Sequence, residues 1–129
     1  MARTKHSAGI LVVEDDRIIA MNLAAMLADL GFGNIFLAHD LATGMALLLS
    51  KLPSLGILDV NIGEELVFPL AIEFRARSIP IIFSTGRAPR ELPVEWTAHP
   101  ILSKPLEAGS LAAALGGLGF RWQQCDVPC

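Results

Sequence analysis

Cysteine is scarce in this sequence of 129 residues, and its two copies, Cys125 and Cys129, lie close to the C-terminal end. A disulfide framework or a zinc site would need more ligands at suitable spacing, so we expect two thiols on a mobile tail. The three histidines, His6, His39 and His99, show no paired spacing. We therefore expect each histidine to be a surface or strand-edge residue rather than a metal ligand.

Long hydrophobic runs and basic clusters are absent as well. Although 53% of the residues are hydrophobic, no uninterrupted apolar stretch approaches the roughly 18 residues that a membrane span needs. The apolar run after Arg3 and Lys5 covers only residues 10–13, which is too short for a signal peptide. The net charge is −3, and the chain lacks the basic patch of a nucleic-acid-binding domain. We expect a cytoplasmic protein that binds neither membranes nor nucleic acids.

Strand-like and helix-like segments alternate along the chain, which is long enough for one domain with a hydrophobic core. Short apolar runs predict strands at residues 10–13, 34–38, 55–58, 80–83 and 100–103. Helices are predicted at residues 17–30, 41–51 with Asp40 as the N-cap, 69–77 and 107–115. This alternation predicts an α/β fold, with a doubly wound five-stranded parallel sheet between two layers of helices. We assign the domain to residues 9–118, an N-terminal extension to 1–8 and a C-terminal tail to 119–129.

Proline and glycine set several predicted boundaries. Pro69 is tolerated only in the first turn of a helix, so residues 62–68 are predicted to be a long loop over the site. Pro89 and Pro93 divide the segment before the last strand, which predicts a short or irregular fourth helix. Glycines from Gly116 onwards should end the last helix, leaving residues 120–129 without regular structure. The predicted apolar face of the first helix consists of Ile18, Met21, Ala25, Met26 and Leu30.

Polar side chains follow four of the predicted strands. The acids at residues 14–16 follow the first strand, Asp59 closes the third, Thr85 follows the fourth and Lys104 follows the fifth. In an open parallel sheet the carboxyl ends of the strands share one edge, and ligands bind in the crevice outside it. We therefore predict that these residues form one polar site.

The residue types in this site indicate its chemistry. Carboxylates brought together repel each other unless a cation is present, and Mg²⁺ prefers oxygen ligands that include one or two carboxylates and a phosphate. Asp15, Asp59 and a loop carbonyl such as that of Asn61 could form such a set. Lys104 supplies a compact charge for a phosphoryl oxygen, and Thr85 supplies a hydroxyl donor. Together they predict a phosphoryl-transfer site.

Four motifs, in this order and on these elements, resemble the receiver domain of two-component response regulators. They are LVVEDD at residues 11–16, LDVN at 58–61, FSTG at 83–86 and SKP at 103–105. The resemblance covers residues 10 to about 116 and implies the flavodoxin-like receiver fold. It also implies a phosphoprotein of a phosphorelay that receives its phosphoryl group from a histidine kinase or a phosphotransfer protein.

The resemblance implies a role for each residue at the centre of the site. Asp59 would be the phosphoacceptor, Asp15 would bind Mg²⁺ directly, and Glu14 would hold the ion through water. Asn61 would bind the ion through its backbone carbonyl, and Lys104 would pair with the phosphoryl group.

Neighbouring residues would support this chemistry. Thr85 would hydrogen-bond the phosphoryl group, and Gly86 would keep the approach to the phosphoacceptor open. The peptide bond before Pro105 would be cis, a geometry that is accessible before proline.

Within the receivers, the chain looks most like the FATGUY subgroup, whose fourth strand ends in Phe-Ala-Thr-Gly and commonly an aromatic residue. Here Ser84 replaces the alanine and Arg87 the aromatic residue. The chain has no tyrosine, and Ile101 occupies the place where a Tyr or Phe usually reports phosphorylation. We expect residues 86–99, which have few apolar anchors, to be mobile and to act as the switch instead.

Two other classes of protein fit these residues less well. A haloacid dehalogenase-like hydrolase also uses a strand-end Asp nucleophile, but needs a second acid two residues later, where this chain has Asn61. A pseudo-receiver binding module would lack Asp59, Asp15 or Lys104, and all three are present. We expect a phosphorylatable single-domain regulator, monomeric or weakly dimeric, that signals through protein contact. Its only chemistry would be its own phosphorylation and dephosphorylation.

Overall fold

The computed structural model of this chain describes residues 3–4, 9–86 and 92–121. Its strands are β1 (Arg3–Thr4), β2 (Gly9–Val13), β3 (Asn34–Ala38), β4 (Leu55–Asp59), β5 (Asn61–Ile62), β6 (Glu65–Leu66), β7 (Ile81–Thr85), β8 (Ile101–Ser103) and β9 (Phe120–Arg121). Its α-helices are α1 (Arg17–Asp29), α2 (Leu41–Lys51), α3 (Phe68–Ala76) and α4 (Ala108–Gly117), and a 3-10 helix covers Val94–Trp96. The predictions for His6, Arg87, Cys125 and Cys129 fall outside the described residues.

Five strands form one parallel sheet in the order β3-β2-β4-β7-β8. Parallel neighbours need crossover connections, which α1, α2 and α3 provide between successive strands of the sheet. The predicted doubly wound α/β fold is therefore confirmed. Within the described ranges, no helix is both long and apolar enough to cross a membrane.

A hydrophobic cluster lies on each face of the sheet. On one face, Leu48 of α2 and Phe74 of α3 belong to the cluster that includes Leu11 of β2. On the other face, Leu27 of α1 packs in a cluster with Ile10 of β2 and with α4. Because both faces are covered, the central strands are nearly continuous apolar runs, as is typical of parallel sheets. Polar residues can then reach water only where the strands end.

Aspartate caps begin two of the helices beside this edge. The carboxylate of Asp16 accepts hydrogen bonds from Ile18 N and Ile19 N at 2.9 and 3.1 Å, and that of Asp40 accepts one from Thr43 N at 2.7 Å. These contacts satisfy backbone donors that the first turn of a helix leaves unpaired. The predicted cap at Asp40 is therefore present.

The predicted apolar face of the first helix is wrong. Ile18 and Met21 are 71% and 65% exposed, whereas Ala20, Leu23 and Leu27 are buried. Apolar residues occupy most positions around α1, so their spacing alone cannot select the face that meets the sheet. Two members of the predicted face pack partly against the core, Met26 and Leu30.

The predicted loop over the site contains an antiparallel hairpin. β5 pairs with β6, and residues 63–64 form the turn between them. Ile62 and Val67 are 4% and 0% exposed, so the hairpin is fixed to the core at both ends. Two-residue strands are too short to show a hydrophobic period, which is why the sequence pattern did not reveal them. Pro69 lies in the first turn of α3, as predicted.

The C-terminal predictions also need correction. α4 continues through Gly116 to Gly117, and Phe120 enters β9, which pairs in parallel with β1. Phe120 is 3% exposed and packs edge-on against Phe32, with 6.1 Å between the ring centroids. Burial of this aromatic ring extends regular structure past the glycines that were expected to end it.

The short or irregular element predicted between β7 and β8 is present as the 3-10 helix in the described residues 92–100. The expectation of few apolar anchors is wrong for these residues, because Leu92 and Trp96 are 7% and 2% exposed. Trp96 stacks on Phe68 and meets Phe83 edge-on, with ring centroids 5.7 Å apart in both pairs. The guanidinium of Arg75 lies 4.3 Å from the centroid of the Trp96 ring and covers it. A packed tryptophan thus secures this part of the chain.

Gly56 in the centre of β4 lets α3 approach the sheet. A Cβ atom at this position would clash with Cε2 of Phe74 and lie 2.8 Å from its Cζ, and the Phe74 ring is fully buried. Core side chains are close-packed and cannot move freely to make room.

We predict that Gly56→Ala lowers the free energy of unfolding by about 1–3 kcal/mol, the usual cost of overpacking a core. Urea unfolding would measure it against Gly33→Ala, where an added Cβ meets nothing within 4 Å. Gly56→Ala combined with Phe74→Leu should recover part of the loss. If Gly56→Ala were as stable as Gly33→Ala, the close packing of α3 on β4 would be incorrect.

Candidate functional site

The carboxyl ends of β2, β4, β7 and β8 bring the predicted site residues together. Glu14 directly follows β2, and its N–H continues the ladder to Ala38 O at 3.0 Å. Lys104 directly follows β8, and its N–H donates to Thr85 O at 2.9 Å. Asp59 is the last residue of β4. Each of these side chains is therefore positioned at the carboxyl end of a strand of the parallel sheet.

Lys104 links the two buried acids of the site. Its Nζ lies 2.7 Å from Oδ2 of Asp59 and 2.8 Å from Oε1 of Glu14. The side chains of Asp59 and Glu14 are only 6% and 3% exposed. Charge-assisted hydrogen bonds of this length are strong where water is largely excluded. The ammonium therefore holds the phosphoacceptor candidate and the second acid in one cluster.

The third acid of the predicted set, Asp15, lies on the exposed side of the cluster. Its Oδ2 accepts a hydrogen bond of 2.8 Å from the N–H of Gly63, in the turn of the β5–β6 hairpin. One carboxylate oxygen from each of Glu14, Asp15 and Asp59 lies within 4.8 Å of the others. The acids that the sequence placed at one sheet edge therefore do converge.

The remaining predicted residues surround these acids. Asn61 donates its N–H to Oδ1 of Asp59 at 3.3 Å, Thr85 is buried at 5% exposure, and the Lys104–Pro105 peptide is cis. Gly86 is exposed, and a Cβ there would meet nothing within 4 Å. Ile101 lies opposite Phe83 in the β7–β8 ladder and is partly buried against the core.

Burial controls the electrostatics of Glu14. Loss of water around the carboxylate raises the pKa of Glu14 from 4.5 to about 7, and the nearby charge of Asp59 adds to the rise. Hydrogen bonds from Lys104 and from the N–H of Asp16 oppose it without cancelling it. A carboxyl group of this kind changes its charge near neutral pH, so its ionisation responds to any cation that enters the site.

The pKa values of Asp15 and Lys104 are shifted in the direction that keeps both side chains charged. Burial raises the pKa of Asp15, but hydrogen bonds, of which that from Gly63 is the largest, together with the charge of Lys104 outweigh burial and lower the pKa. For Lys104, burial favours the neutral amine, but the hydrogen bonds to Asp59 and Glu14 raise its pKa. Asp15 is therefore an ionised ligand candidate, and Lys104 is a fixed positive charge.

The oxygen atoms gathered at this site fit a hard divalent cation. They are carboxylate oxygens, and Asp15 reaches solvent, where a cation can keep part of its water shell. Mg²⁺ in particular retains several waters and binds through one or two carboxylates. The groups that would hold the ion are these acids, with Asp15 exposed and Asp59 and Glu14 buried beside it, and the backbone of Asn61.

Sequence reasoning missed three residues next to this site. Gly63 contacts Asp15, the Nδ1 atom of His39 lies 2.9 Å from the backbone oxygen of Glu14, and Trp96 packs on Phe83. The glycine within residues 61–65 was a signal for a tight turn, which the assignment of a long loop overlooked. Neither His39 nor Trp96 has a local sequence signal for its contact.

A groove of about 530 Å³ opens beside the carboxylate cluster. It runs between α1, including Ile19 and Met26, and the segment from Lys104 to Leu106. Ile18 and Met21, the exposed apolar residues of α1, lie on the same helix. The surface next to Lys104 is therefore concave and partly apolar.

Comparison with known proteins identifies the family. The model of the response regulator receiver domain matches residues 10–116. The transcriptional regulatory protein DltR of Streptococcus agalactiae is 32% identical over 111 residues, which cover 82% of this chain and 49% of DltR. The chain thus spans about half the length of the curated relatives that it matches.

Solved structures agree with this assignment. The solution structure of SdrG from Sphingomonas melonis Fr1 is 33% identical, with a TM-score of 0.77 over 86% of this chain and 95% of SdrG. The BeF3-activated conformation of SdrG, from Pseudomonas melonis Fr1, is 30% identical with a TM-score of 0.76 over 92% of this chain and 98% of SdrG. PhyR from Brucella abortus, 21% identical, shares the fold with a TM-score of 0.74 over 86% of this chain and 48% of PhyR. This chain belongs to the response regulator receiver domain family.

Proposed function

We propose that this receiver domain accepts a phosphoryl group on Asp59 from the phosphohistidine of a histidine kinase or a phosphotransfer protein. The contact that carries the proposal is the 2.7 Å distance between Lys104 Nζ and Asp59 Oδ2. During transfer, the bond from phosphorus to the histidine nitrogen breaks as a bond from phosphorus to an Asp59 oxygen forms. The attacking carboxylate is held in place by Asn61 and Lys104, so little reorganisation is needed.

Stabilisation of charge is the second requirement of phosphoryl transfer. The phosphoryl oxygens carry negative charge throughout the reaction, and fixed positive charges that face them lower the barrier. Lys104 supplies such a charge, and Thr85 at the end of β7 supplies a hydroxyl donor. Mg²⁺, held by Asp15, Asp59, Glu14 and Asn61, would contribute further positive charge to the same oxygens. We infer no reaction beyond phosphorylation of Asp59 and hydrolysis of the aspartyl phosphate.

Output is proposed to occur through protein contact, and the domain is proposed to act in the cytoplasm, where histidine kinases phosphorylate receivers. The similarity to SdrG in a BeF3-activated conformation supports regulation by phosphorylation, because BeF3 imitates a phosphoryl group. The groove beside Lys104 is a suitable surface for a protein phosphodonor. The FSTG motif at residues 83–86 supports membership of the FATGUY subgroup.

The alternative is a pseudo-receiver that binds a partner without being phosphorylated. Such a module has no need to keep Lys104 in contact with Asp59, or to gather three acids at one sheet edge. The convergence of Glu14, Asp15 and Asp59 within 4.8 Å favours the phosphoacceptor.

Phosphorylation itself is the first test. Incubation with a small phosphodonor and Mg²⁺ should add one phosphate by intact-mass analysis, and Asp59→Asn should abolish the addition. Asp29→Asn, at the exposed end of α1, is the matched control and should be modified like the wild type. A folded wild-type protein that gains no mass would support the pseudo-receiver instead.

The roles of Asp15 and Lys104 can be separated. Asp15→Asn should weaken Mg²⁺ binding at least about 10-fold, since losing even a partner of a ligand has effects of that size. Lys104→Ala should bind Mg²⁺ as tightly as the wild type or more tightly, because a competing cation is removed, yet be phosphorylated more slowly. Calorimetric titration and a phosphorylation time course would measure the two effects. Equal losses of Mg²⁺ affinity in two folded variants would show that the roles are wrongly assigned.

Mg²⁺ affinity should also depend on pH through Glu14. Because the pKa of Glu14 is raised to about 7, this carboxyl is mostly protonated at pH 6, and a cation bound beside it favours release of the proton. Affinity should therefore increase by up to about 10-fold from pH 6 to pH 8 and level off above that. Glu14→Gln should remove most of this increase, whereas Glu107→Gln, an exposed acid outside the site, should retain it. A pH-independent affinity in the wild type would contradict a role for Glu14.

A further inference from the structure

The tip of the β5–β6 hairpin contacts the metal-site carboxylate of Asp15 through its backbone. The N–H of Gly63 donates to Oδ2 of Asp15 at 2.8 Å, although the two residues are 48 positions apart in sequence. Glu14 and Asp59 are buried and held by Lys104, whereas Asp15 is exposed. The hydrogen bond from the hairpin therefore restrains the side chain of Asp15, which core packing does not hold in place.

The hairpin presents this N–H because of its turn. Gly63 has a φ of +61°, in the left-handed region that other residues rarely adopt. It is the first of the two turn residues, and glycine adopts a positive φ without the steric cost of a Cβ. A Cβ at Gly63 would meet nothing within 4 Å, so a substitution there acts through backbone conformation and not through a clash.

The position of the tip is set by the core and not by Asp15. Ile62 and Val67 flank the hairpin and are buried, and Val67 N donates to Val60 O at 2.9 Å. With both ends fixed, the turn can place a backbone donor over the sheet edge whether or not Asp15 is occupied by a ligand.

An exposed carboxylate loses rotamer freedom when it binds a cation, and that loss weakens binding. A hydrogen bond that already orients the carboxylate reduces this cost. Since a carboxylate has two oxygens and about four acceptor sites, donation to Oδ2 leaves capacity for the cation. Ligating carboxylates elsewhere depend on such supporting hydrogen bonds.

We propose that Gly63 is a positioning residue, whose N–H orients Asp15 for divalent cation binding. The inference rests on the proposed function only in that Asp15 binds Mg²⁺. The hairpin thereby contributes to the metal site, although its own side chains need not touch the ion.

Three variants test the proposal. Gly63→Ala disfavours the positive φ and should move the N–H away from Asp15. Gly63→Asn retains the backbone N–H, as Gly63→Ala does, but asparagine adopts a positive φ more readily than alanine. Gly119→Ala is the control for backbone strain, since Gly119 has a φ of +90°, has no atom within 4 Å of an added Cβ and lies in the turn after α4.

The measurements are calorimetric titration with MgCl₂ at pH 8, thermal unfolding without Mg²⁺ and amide hydrogen exchange at position 63. Gly63→Ala should weaken Mg²⁺ binding about 10-fold, at the low end of the range for supporting partners because Asp15 itself remains. Its amide should also exchange faster than that of the wild type. Gly63→Asn should lose less Mg²⁺ affinity than Gly63→Ala, because asparagine adopts a positive φ more readily than alanine. Gly119→Ala should lose thermal stability comparably to Gly63→Ala but keep its Mg²⁺ affinity.

Unchanged Mg²⁺ affinity in Gly63→Ala, or an equal loss in Gly119→Ala, would overturn the positioning role and leave the proposed function intact. A folded wild-type protein that does not bind Mg²⁺ would overturn both. The two failures are therefore distinguishable.

Discussion

The ammonium of Lys104 lies between two buried carboxylates, and much of the fold serves to make this contact possible. Glu14 and Asp59 are buried, and buried charges without a partner would be strongly destabilising. The partner comes from β8, at the edge of the sheet, while the acids come from β2 and β4 in its interior. The three strands must therefore be parallel, occupy these places in the sheet, and end at the same edge of it. The order of the strands brings the three charged side chains together, and the need to pair the buried charges in turn favours that order.

This dependence explains how much the sequence could reveal. Strands buried on both faces are continuous apolar runs, so their ends, where Asp59 and Lys104 emerge, were predictable, as was their convergence at one edge. The buried face of α1 was not, because apolar residues occupy most sides of it and only contact with the sheet selects among them. The hairpin carrying Gly63 was missed because its strands are shorter than any detectable period. Tertiary contacts decided both cases.

The packing of Trp96 bears on how a signal could leave the site. Thr85 and Phe83 are two residues apart on β7 and so point to the same face of the sheet. Trp96 meets the Phe83 ring, stacks on Phe68 and lies under Arg75. A movement of Thr85 toward a phosphoryl group would therefore displace β7. Because Phe83 of the same strand contacts Trp96, such a displacement would reach the 3-10 helix. This path does not require a hydroxyl at Ile101, and it replaces the expectation of a weakly anchored segment at residues 92–99.

The balance of charges at the site determines how its contacts would respond to a cation or a phosphoryl group. Within the described part of the chain, three carboxylates face the ammonium of Lys104, and burial already holds the pKa of one of them, Glu14, near neutrality. In the proposed function, a divalent cation would offset the excess negative charge and favour ionisation of Glu14. A phosphoryl group on Asp59 would then bring negative charge back, on oxygens that lie outward of the buried carboxylate. The ammonium of Lys104 contacts Asp59 in the unphosphorylated site, and phosphorylation would offer it the phosphoryl oxygens as well. The contact that stabilises the unphosphorylated site is therefore the contact that phosphorylation would rearrange.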